Sequence, residues 1–402
     1  MVLILMFRMN PGYSVLSIES ALRPARTKDK SHPVVSNIQG YIKSIMNPSD
    51  LKLDRLSCPQ IEARYNYLNR STVHHHPDLH HEPRKIKYFF ALDLFNCSSI
   101  LPNLLGAIVE SMRFLGPERC ALSIVEGRST DGTREILVGL RNGVESLGAK
   151  YYLSFSDLDP RDSANDRIVV LAALRNQALE PLKAKRDPFT SDAVVIFLND
   201  IVLCPDDLLE LLHQHFVQSA EMTCAMDWLT SDKMTFYDSW IGRGMNGDLF
   251  YEIPQNADFW SFSNNLFWNN PETKKAFDSK IPFQVYSCWN GVSVMVASRF
   301  REEGLVFRSS GIDEHYMGEP MLLCKDLWRR GLGRIQVVPS VNVGYSVRDS
   351  RKIKEQWGRV GDFVDPQAET LNDTQIQWQT SPPPMVKWVS MDWLMSSWMP
   401  PL

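Results

Sequence analysis

The sequence lacks a long hydrophobic run and an excess of charge of either sign. Its N-terminus begins with the seven apolar residues MVLILMF, whereas a membrane-spanning helix needs about 20. The sequence as given therefore contains no complete transmembrane segment. Lys and Arg number 43 against 47 Asp and Glu, a net charge of -4, which gives no electrostatic footprint for nucleic acid. We expect any anionic ligand to be bound locally, by a metal, a few basic side chains or helix N-termini.

Cysteine is also sparse, with seven in 402 residues and no CxxC pair of the kind that binds metals. The odd count leaves at least one thiol unpaired. At most one or two disulfides are expected, and the spacing does not assign their pairing. Three N-glycosylation sequons, at Asn69, Asn96 and Asn372, have meaning only in a secretory compartment.

Strand and helix patterns alternate from Ile86 onward. Apolar, β-branched and aromatic runs predict buried strands at 86–92, 121–126, 149–155 and 193–198, each followed by a helix. This alternation predicts right-handed βαβ units. The fold class is therefore α/β, with a Rossmann-like, mostly parallel sheet flanked by helices. Beyond Glu221 the pattern becomes irregular, which predicts an acceptor-side second half built on a nucleotide-type first half.

The pattern of the sequence suggests a division of the chain into segments. Residues 1–35 form a flexible lead, and 36–85 form a helical extension followed by a His-rich linker. Residues 86–345 form the main domain, whose halves are 86–220 and 221–345, and 346–402 form a tail that packs on the surface. The linker contains five histidines that invite a metal interpretation: His74, His75, His76, His80 and His81. They lie between prolines without a scaffold to orient them, so a solvated linker is the better interpretation.

The stretch AVVIFLND ends a buried strand with an amide and a carboxylate, Asn199 and Asp200. An aspartate at this point can simply terminate a strand or cap a turn. Alternatively, open α/β sheets bind ligands at the carboxyl ends of their strands. A carboxylate there could hold Mg²⁺ or Mn²⁺, which needs only one or two protein ligands beside substrate phosphates. We therefore predict Asp200 as a metal ligand and Asn199 as its neighbour toward the donor.

Two further features of the first half suit a nucleotide donor. After the second strand, Glu126 leads into a glycine-containing turn and a helix that begins at Asp131, an arrangement that suits ribose or base hydroxyls. Turns of this composition are also common without any ligand. On the long helix, Arg175 lies between apolar positions, and an inward guanidinium normally needs an anionic partner. An ordinary internal ion pair is the alternative to a donor contact.

The second half contains an aromatic, Asn- and Asp-rich stretch from Asp227 to Asn270 that suits a sugar acceptor. Its tryptophans could equally anchor an irregular surface segment to the core. Residues 283–297 read as one or two strands, interrupted at Trp289-Asn290-Gly291.

Eight ordered blocks carry a resemblance to a known family: YFFALDLFNC, FLGPERCALSIVEGRSTDGT, LRNQAL, IFLNDIVLC, MTCAMDW, GMNGD, CWNG and GEPMLLCKDLW. With these blocks the chain resembles the fungal capsule-associated, cryptococcal-type α-1,3-mannosyltransferases of glycosyltransferase family 69. The resemblance runs from about Arg55 to Ser346, with a weaker PPPMVK match near Pro382.

The resemblance implies a GT-A-type glycosyltransferase fold, a GDP-mannose donor and a divalent cation, Mn²⁺ or Mg²⁺. It implies transfer to a mannose-containing glycan or polysaccharide with retention, by a type II membrane protein facing the secretory lumen, as in the Golgi. The donor-binding residues that it implies are Glu126, Gly127, Arg128, Asp131, Arg175, Asn176, Asn199 and Asp200. Asn199 and Asp200 occupy the place of a DxD motif, with Leu198 where a strict motif has its first aspartate. Glu319 resembles the acidic position near the transferred sugar, and we predict catalytic roles for Glu319 and Asp227. The acceptor-binding residues that we expect in the second half are Asp238, Asn246, Asp248, Trp289 and Asn290.

A second hypothesis from another class is a noncatalytic, carbohydrate-binding or scaffold member of a polysaccharide-assembly complex, which keeps the fold without donor turnover. Donor hydrolysis by the purified protein with metal discriminates between the two.

Overall fold

The structure is a computed structural model that describes residues 33–50, 52–69, 85–184, 187–230, 233–254, 261–364, 374–390 and 396–401. The His-rich linker and the sequon at Asn372 lie outside these residues. The helices are α1 (Ile38–Met46), α2 (Leu101–Leu115), α3 (Thr133–Ser146), α4 (Arg167–Ala178), α5 (Glu180–Lys183), α6 (Pro205–Val217), α7 (Pro271–Asp278), α8 (Ala297–Arg301), α9 (Glu319–Arg329) and α10 (Val347–Trp357).

The strands are β1 (Ile86–Leu94), β2 (Cys120–Glu126), β3 (Lys150–Phe155), β4 (Phe189–Leu198), β5 (Met222–Thr230), β6 (Met234–Phe236), β7 (Arg243–Gly244), β8 (Phe283–Ser287), β9 (Val292–Val296), β10 (Ile335–Gly344), β11 (Val386–Val389) and β12 (Ser396–Met399). Strands β3, β2, β1, β4, β9, β5, β10, β8 and β7 lie in that order in one sheet, and β6 pairs with β5. The four strands of the first half are parallel to one another, as the alternating pattern predicted.

The helices cover both faces of this sheet. On one face α2, α3 and α6 pack over alternate strand residues such as Phe90, Leu92 and Ile196, and α1 packs on α2 and α3. On the other face α4, α8 and α9 pack over the intervening residues, such as Phe89, Ala91 and Phe197. Because strand side chains alternate between faces, a strand buried on both sides must be apolar throughout. The predicted α/β class with a mostly parallel sheet flanked by helices is confirmed.

Local expectations from the sequence differ from the structure at three points. The sequence suggests Ser98 or Ser99 as the N-cap of α2, but the N-cap residue is Ile100 and no side chain caps this helix. The long helix after β3 ends at Ala178, and a short α5 follows it. The run RIQVVPSVNVGY (334–345) reads as a pair of strands, but it forms the single strand β10, whose register on β5 shifts between Val337 and Asn342. The 283–297 region forms two strands, β8 and β9.

The tail contributes to the core as well as to the surface. Ile353 of α10 is fully buried, and the Lys354 Nζ pairs with the Asp207 carboxylate at 2.6 Å, with both side chains buried. The β11–β12 hairpin lies over the second half, where the Arg243 Nε donates to the Lys387 carbonyl at 2.7 Å. Within the described ranges, none of the helices combines the length and apolar character needed to cross a bilayer.

Two disulfides join distant parts of the chain, Cys58 to Cys204 and Cys224 to Cys288. The first ties the N-terminal extension to the start of α6, directly after the segment that carries Asp200. We expect Cys58→Ser combined with Cys204→Ser to lower the free energy of unfolding by about 2–5 kcal/mol, because the bridge constrains a long loop of the unfolded chain. Chemical denaturation measures this loss, and an unchanged midpoint would contradict it.

Candidate active site

Polar residues cluster where strands of the sheet end. Asp93 lies in β1 near its end, Glu126 ends β2, and Asn199 and Asp200 follow β4. Asp227 lies near the end of β5, which runs parallel to β4 because both are antiparallel to β9. The start of β9 is joined to the end of β4 by a hydrogen bond from the Asn199 N–H to the Gly291 carbonyl, 2.8 Å long. The sheet therefore brings these residues to one edge.

Asp200 is exposed to solvent at this edge. The surrounding protein nevertheless removes much of its hydration, which raises the pKa of Asp200 to about 6. Its own backbone N–H partly offsets this effect, and the negative charge of Asp93 adds to it. Among the described residues, no basic side chain lies within ion-pair distance of Asp200. An accessible, electrostatically uncompensated carboxylate fits a hard divalent cation, which takes oxygen ligands.

Asn199 is held by a tryptophan from the next strand. The Trp289 Nε1 donates to the Asn199 Oδ1 at 3.0 Å. The Trp289 ring is 2% exposed, and it packs against Phe197 and Phe307. The structure therefore places Trp289, a predicted acceptor residue, in the core beneath Asn199, where the ring orients this amide.

Arg175 and Glu319 form a buried ion pair across helices α4 and α9. The Arg175 Nη1 lies 3.0 Å from the Glu319 Oε1, and the guanidinium lies 4.2 Å from the centroid of Trp289. Burial raises the pKa of Glu319, an effect that Arg175 partly offsets and Asp93 reinforces. Asp93 acts electrostatically on Asp200 as well. These charged residues thus belong to one electrostatic cluster.

Asp227 and Asp238 form a second acidic pair beside the first. The Tyr345 hydroxyl donates to the Asp227 Oδ2 at 2.6 Å, and the Asp238 N–H donates to the Asp227 Oδ1 at 3.3 Å. The Asn290 N–H donates to the Asp238 Oδ2 at 2.7 Å. Burial, followed by the charge of Asp238, raises the pKa of Asp227 well above its ordinary range. The structure therefore joins three predicted residues, two carboxylates and Asn290, in one network.

The pKa of Asp238 is raised by burial to about 6, despite the hydrogen bond from Asn290 and the charge of Arg175. The folded protein binds the Asp238 proton more tightly than the unfolded chain does. Proton binding at Asp238 therefore stabilises the folded protein fully below about pH 4, and this stabilisation is lost as the pH rises through about 6. We expect the stability of the wild type relative to Asp238→Asn to fall across this window by at most about 3 kcal/mol. Denaturation at a series of pH values measures it, and a stability difference independent of pH would contradict it.

The turn after β2 is ordered by its own side chains. The Glu126 Oε1 accepts from the Ser129 N–H at 2.6 Å, and the Gly127 N–H donates to the Leu94 carbonyl at 3.0 Å. Arg128 has a φ of 60° and pairs with Asp159. Burial opposes ionisation of Asp131, but hydrogen bonds from Thr133 and Ser98 outweigh it and lower the pKa of Asp131. Asp131 thus ties the loop after β1 to the loop after β2.

Three other predicted residues make contacts inside the protein. The Asn176 Nδ2 donates to the Phe307 carbonyl at 2.7 Å, and its Oδ1 accepts from the same residue's N–H at 3.1 Å. Asn246 and Asp248 are joined to Asn269, and Asp248 also lies 3.3 Å from the Lys387 Nζ of the tail. These three residues hold loops together through contacts that do not involve Asp200.

One other acidic group, at the start of α6, combines ligand types for a metal: Cys204, Asp206 and Asp207. The Cys204 sulfur is committed to the disulfide with Cys58. Asp207 accepts from the Cys204 N–H and pairs with Lys354. This group therefore stabilises the helix start and offers no thiolate to a cation.

Sequence reasoning missed Asp93 and Tyr345 as members of the site. Asp93 interrupts the apolar run YFFALDLF, and this interruption was a signal in the sequence. Tyr345 directly follows β10, yet a tyrosine at a strand end looks the same whether its hydroxyl meets water or a carboxylate. Only the sheet order brings Tyr345 to Asp227.

Residues 87–326 match the family described as Cryptococcal mannosyltransferase 1. The chain is 34% identical over 376 residues to alpha-1,3-mannosyltransferase CMT1 of Cryptococcus neoformans var. neoformans serotype D. The aligned region covers 86% of this chain and 79% of that protein. The family match includes the ends of β1, β2, β4 and β5 described above.

Two solved structures show a weaker likeness. TarS 1–349 of S. aureus in complex with UDP has a TM-score of 0.38 and 11% identity, covering 68% of this chain and 64% of that one. GalNAc-T7 with UDP, GalNAc and Mn²⁺ has a TM-score of 0.39 and 13% identity, covering 84% of this chain and 60% of that one. Each match spans less than two thirds of the other protein's chain. The family match and the identity to a curated relative show that this chain belongs to the cryptococcal mannosyltransferase family and is a glycosyltransferase, an enzyme that takes a nucleotide-sugar donor and a glycan acceptor.

Proposed function

We propose that the protein transfers a mannosyl residue from GDP-mannose to a mannose-containing glycan or polysaccharide, forming an α-1,3 linkage with retention. The relative's name supports mannose and the linkage. The observation that carries the proposal is Asp200, an accessible strand-end carboxylate without a basic partner among the described residues. It lies where an α/β sheet binds a nucleotide ligand.

The proposed cofactor is a divalent cation, Mn²⁺ or Mg²⁺, held by Asp200 with Asp93 as the second carboxylate of the site. When bound, the cation would neutralise charge on the departing diphosphate as a Lewis acid. The protein itself leaves the charge of the Asp200 carboxylate without a basic partner among the described residues. It also holds Asn199 in place through a hydrogen bond from the Trp289 indole.

The proposed donor side is the edge formed by β1, β2 and β4. Asn199 and Asp200 face the diphosphate, and the turn from Glu126 through Gly127 and Arg128 faces the nucleoside. The donor side is supported indirectly by Asp131, Arg175 and Asn176, which contact other residues of the protein. Their role is to fix the loops and helix that surround the nucleotide.

The proposed acceptor side is formed by Asp238 and Asn290, with Trp289 beneath them and Asn246 and Asp248 in the neighbouring loop. Asp227 and Glu319 remain the proposed catalytic carboxylates. Burial raises the pKa of both groups, which favours a proton-bearing form near neutral pH. A carboxyl that can hold and release a proton suits the activation of an acceptor hydroxyl.

We further propose a secretory location, in the Golgi lumen and in association with its membrane. The supporting observations are the relationship to the fungal mannosyltransferase and two exposed sequon asparagines, Asn69 and Asn96. Glycosidase treatment of the protein from its native cell, followed by a mass measurement, tests whether these sites carry glycans.

A transfer assay tests the activity. Purified protein is incubated with an α-linked mannose disaccharide and either GDP-mannose, UDP-glucose or UDP-galactose, with Mn²⁺, Mg²⁺ or EDTA. We expect product from GDP-mannose only, and only with a divalent cation, and NMR of the product should show a new α-1,3-linked mannose. Transfer from another donor would overturn the donor assignment. Glycan binding without consumption of any donor would favour a noncatalytic scaffold.

A further inference from the structure

Arg167 is the first residue of α4, and its side chain is exposed at the ligand edge of the sheet. Because α4 follows the carboxyl end of β3, the start of the helix lies at this edge. Among the described residues the guanidinium makes one hydrogen bond, from its Nη1 to the Pro160 carbonyl at 3.3 Å. In the part of the chain that the structure describes, no carboxylate lies within ion-pair distance of it. Arg167 is therefore a cation without an ionic partner.

The surroundings of Arg167 belong to the site. The guanidinium acts electrostatically on Glu319, Tyr237 and Tyr316. Tyr237 is 42% exposed, and it also feels the negative charge of Asp200. The Tyr316 hydroxyl donates to Asp166, the neighbour of Arg167, at 3.2 Å. Arg167 and Asp200 therefore act electrostatically on the same exposed tyrosine, Tyr237, and they shift its pKa in opposite directions.

The other arginine on this helix is not available for an anion. Arg175 lies two helical turns farther along α4, where it is 7% exposed and paired with Glu319 at 3.0 Å. The N–H groups that open the helix are used as well, because the Asp166 Oδ1 accepts from Ile168 and Val169. Near Asp200 the described site holds four further carboxyl groups, Asp93, Asp227, Asp238 and Glu319. A diphosphate approaching these acids needs a positive side chain.

We infer that Arg167 is the protein cation that binds the diphosphate of the sugar-nucleotide donor, beside Asp200. This inference rests on the proposed function and adds the residue that meets the donor's charge. The planar fork of an arginine matches two phosphate oxygens at once, and its exposure lets the ligand reach it without breaking a buried pair. Arg175, in contrast, stays in its ion pair and orients Trp289.

Calorimetry with nucleotides tests the inference without any transfer reaction. GDP, UDP and guanosine are titrated into the wild type, Arg167→Ala, Arg167→Lys and Arg141→Ala, each with Mn²⁺ and with EDTA. Arg141 is the control because it is a partly exposed arginine on α3 that binds Glu145 and the Tyr151 carbonyl. Thermal unfolding of each variant shows whether it is folded.

We expect Arg167→Ala to weaken GDP binding by roughly 10- to 100-fold, the loss of one charged hydrogen bond. Arg167→Lys should recover part of this affinity, since it keeps the charge and loses the fork. Guanosine binding, and GDP binding by Arg141→Ala, should match the wild type. A folded Arg167→Ala protein that binds GDP as tightly as the wild type would overturn the inference about Arg167 and leave the proposed function in place.

A different pattern would overturn the proposed donor instead. If UDP binds to the wild type, GDP does not, and Arg167→Ala weakens UDP, then Arg167 keeps its role and GDP-mannose is the wrong donor. If the wild type binds neither nucleoside diphosphate, with or without Mn²⁺, both the donor assignment and the role of Arg167 are wrong.

Discussion

Asp200→Ala should reduce transfer by at least about 1,000-fold while the protein remains folded. The change removes the accessible carboxylate that follows β4, and Asp200 is an exposed side chain that adds little to the core. Desolvation and the charge of Asp93 raise the pKa of Asp200 to about 6, so its ionised form is one that a bound cation would stabilise. Initial rates with GDP-mannose and saturating Mn²⁺, together with thermal unfolding, measure both parts of this expectation.

Two variants make the result specific. Asp200→Asn keeps the shape but removes the charge, and we expect it to be nearly as inactive as Asp200→Ala. Asp192→Ala removes another aspartate of β4, one that pairs with Lys87 far from the ligand edge, and it should keep wild-type activity. Metal-dependent transfer at the wild-type rate by Asp200→Ala would show that this carboxylate does not hold the cation.

Asn199→Ala should have a smaller effect, about 10-fold in transfer rate. The amide carries no charge, and its Oδ1 is already occupied by the Trp289 indole. The expected loss comes from a loosened segment next to Asp200. Trp289→Phe, which removes the indole N–H and keeps an aromatic ring, should reproduce this loss. Wild-type rates in both variants would contradict a positioning role for this hydrogen bond.

The strand ends could be predicted from the sequence because local patterns determine them. Six apolar residues from Ala193 to Leu198 specify a strand buried on both faces, and the polar pair that follows must leave the core. The strand β10 shows the limit of such patterns, because Pro339 and Asn342 look like a break between two strands. In the structure the Asn342 side chain donates to the Pro339 carbonyl at 3.1 Å, which lets one strand continue through the irregularity.

The contacts between distant residues could not be predicted in the same way. The sequence indicates that Arg175 needs an anionic partner, but it does not say that the partner is Glu319 on another helix. Trp289 shows the same problem, since a tryptophan beside Asn and Gly suits a sugar platform as well as a core position. Its burial follows from the packing of Phe197 and Phe307 against it, which depends on the order of the sheet.

The Arg175–Glu319 pair should contribute more to stability than to nucleotide affinity. Arg175→Ala leaves Glu319 buried without its partner, so we expect the free energy of unfolding to fall by about 3–5 kcal/mol. The control is Lys274→Ala, which breaks an exposed pair with Asp278 on α7 and should cost less than about 1 kcal/mol. Urea denaturation measures both losses. Unchanged stability of Arg175→Ala, combined with weaker GDP binding, would show that Arg175 contacts the donor directly.

Replacing both partners separates the structural role of this pair from a catalytic role of Glu319. Arg175→Met combined with Glu319→Leu leaves no buried charge unpaired, so most of the lost stability should return. If Glu319 also acts on the transferred sugar, the double variant will be stable and inactive, whereas Glu319→Gln alone will be both less stable and inactive. A stable double variant that transfers mannose at the wild-type rate would show that Glu319 only partners Arg175, and would leave Asp227 and Asp238 as the carboxyl groups able to activate the acceptor.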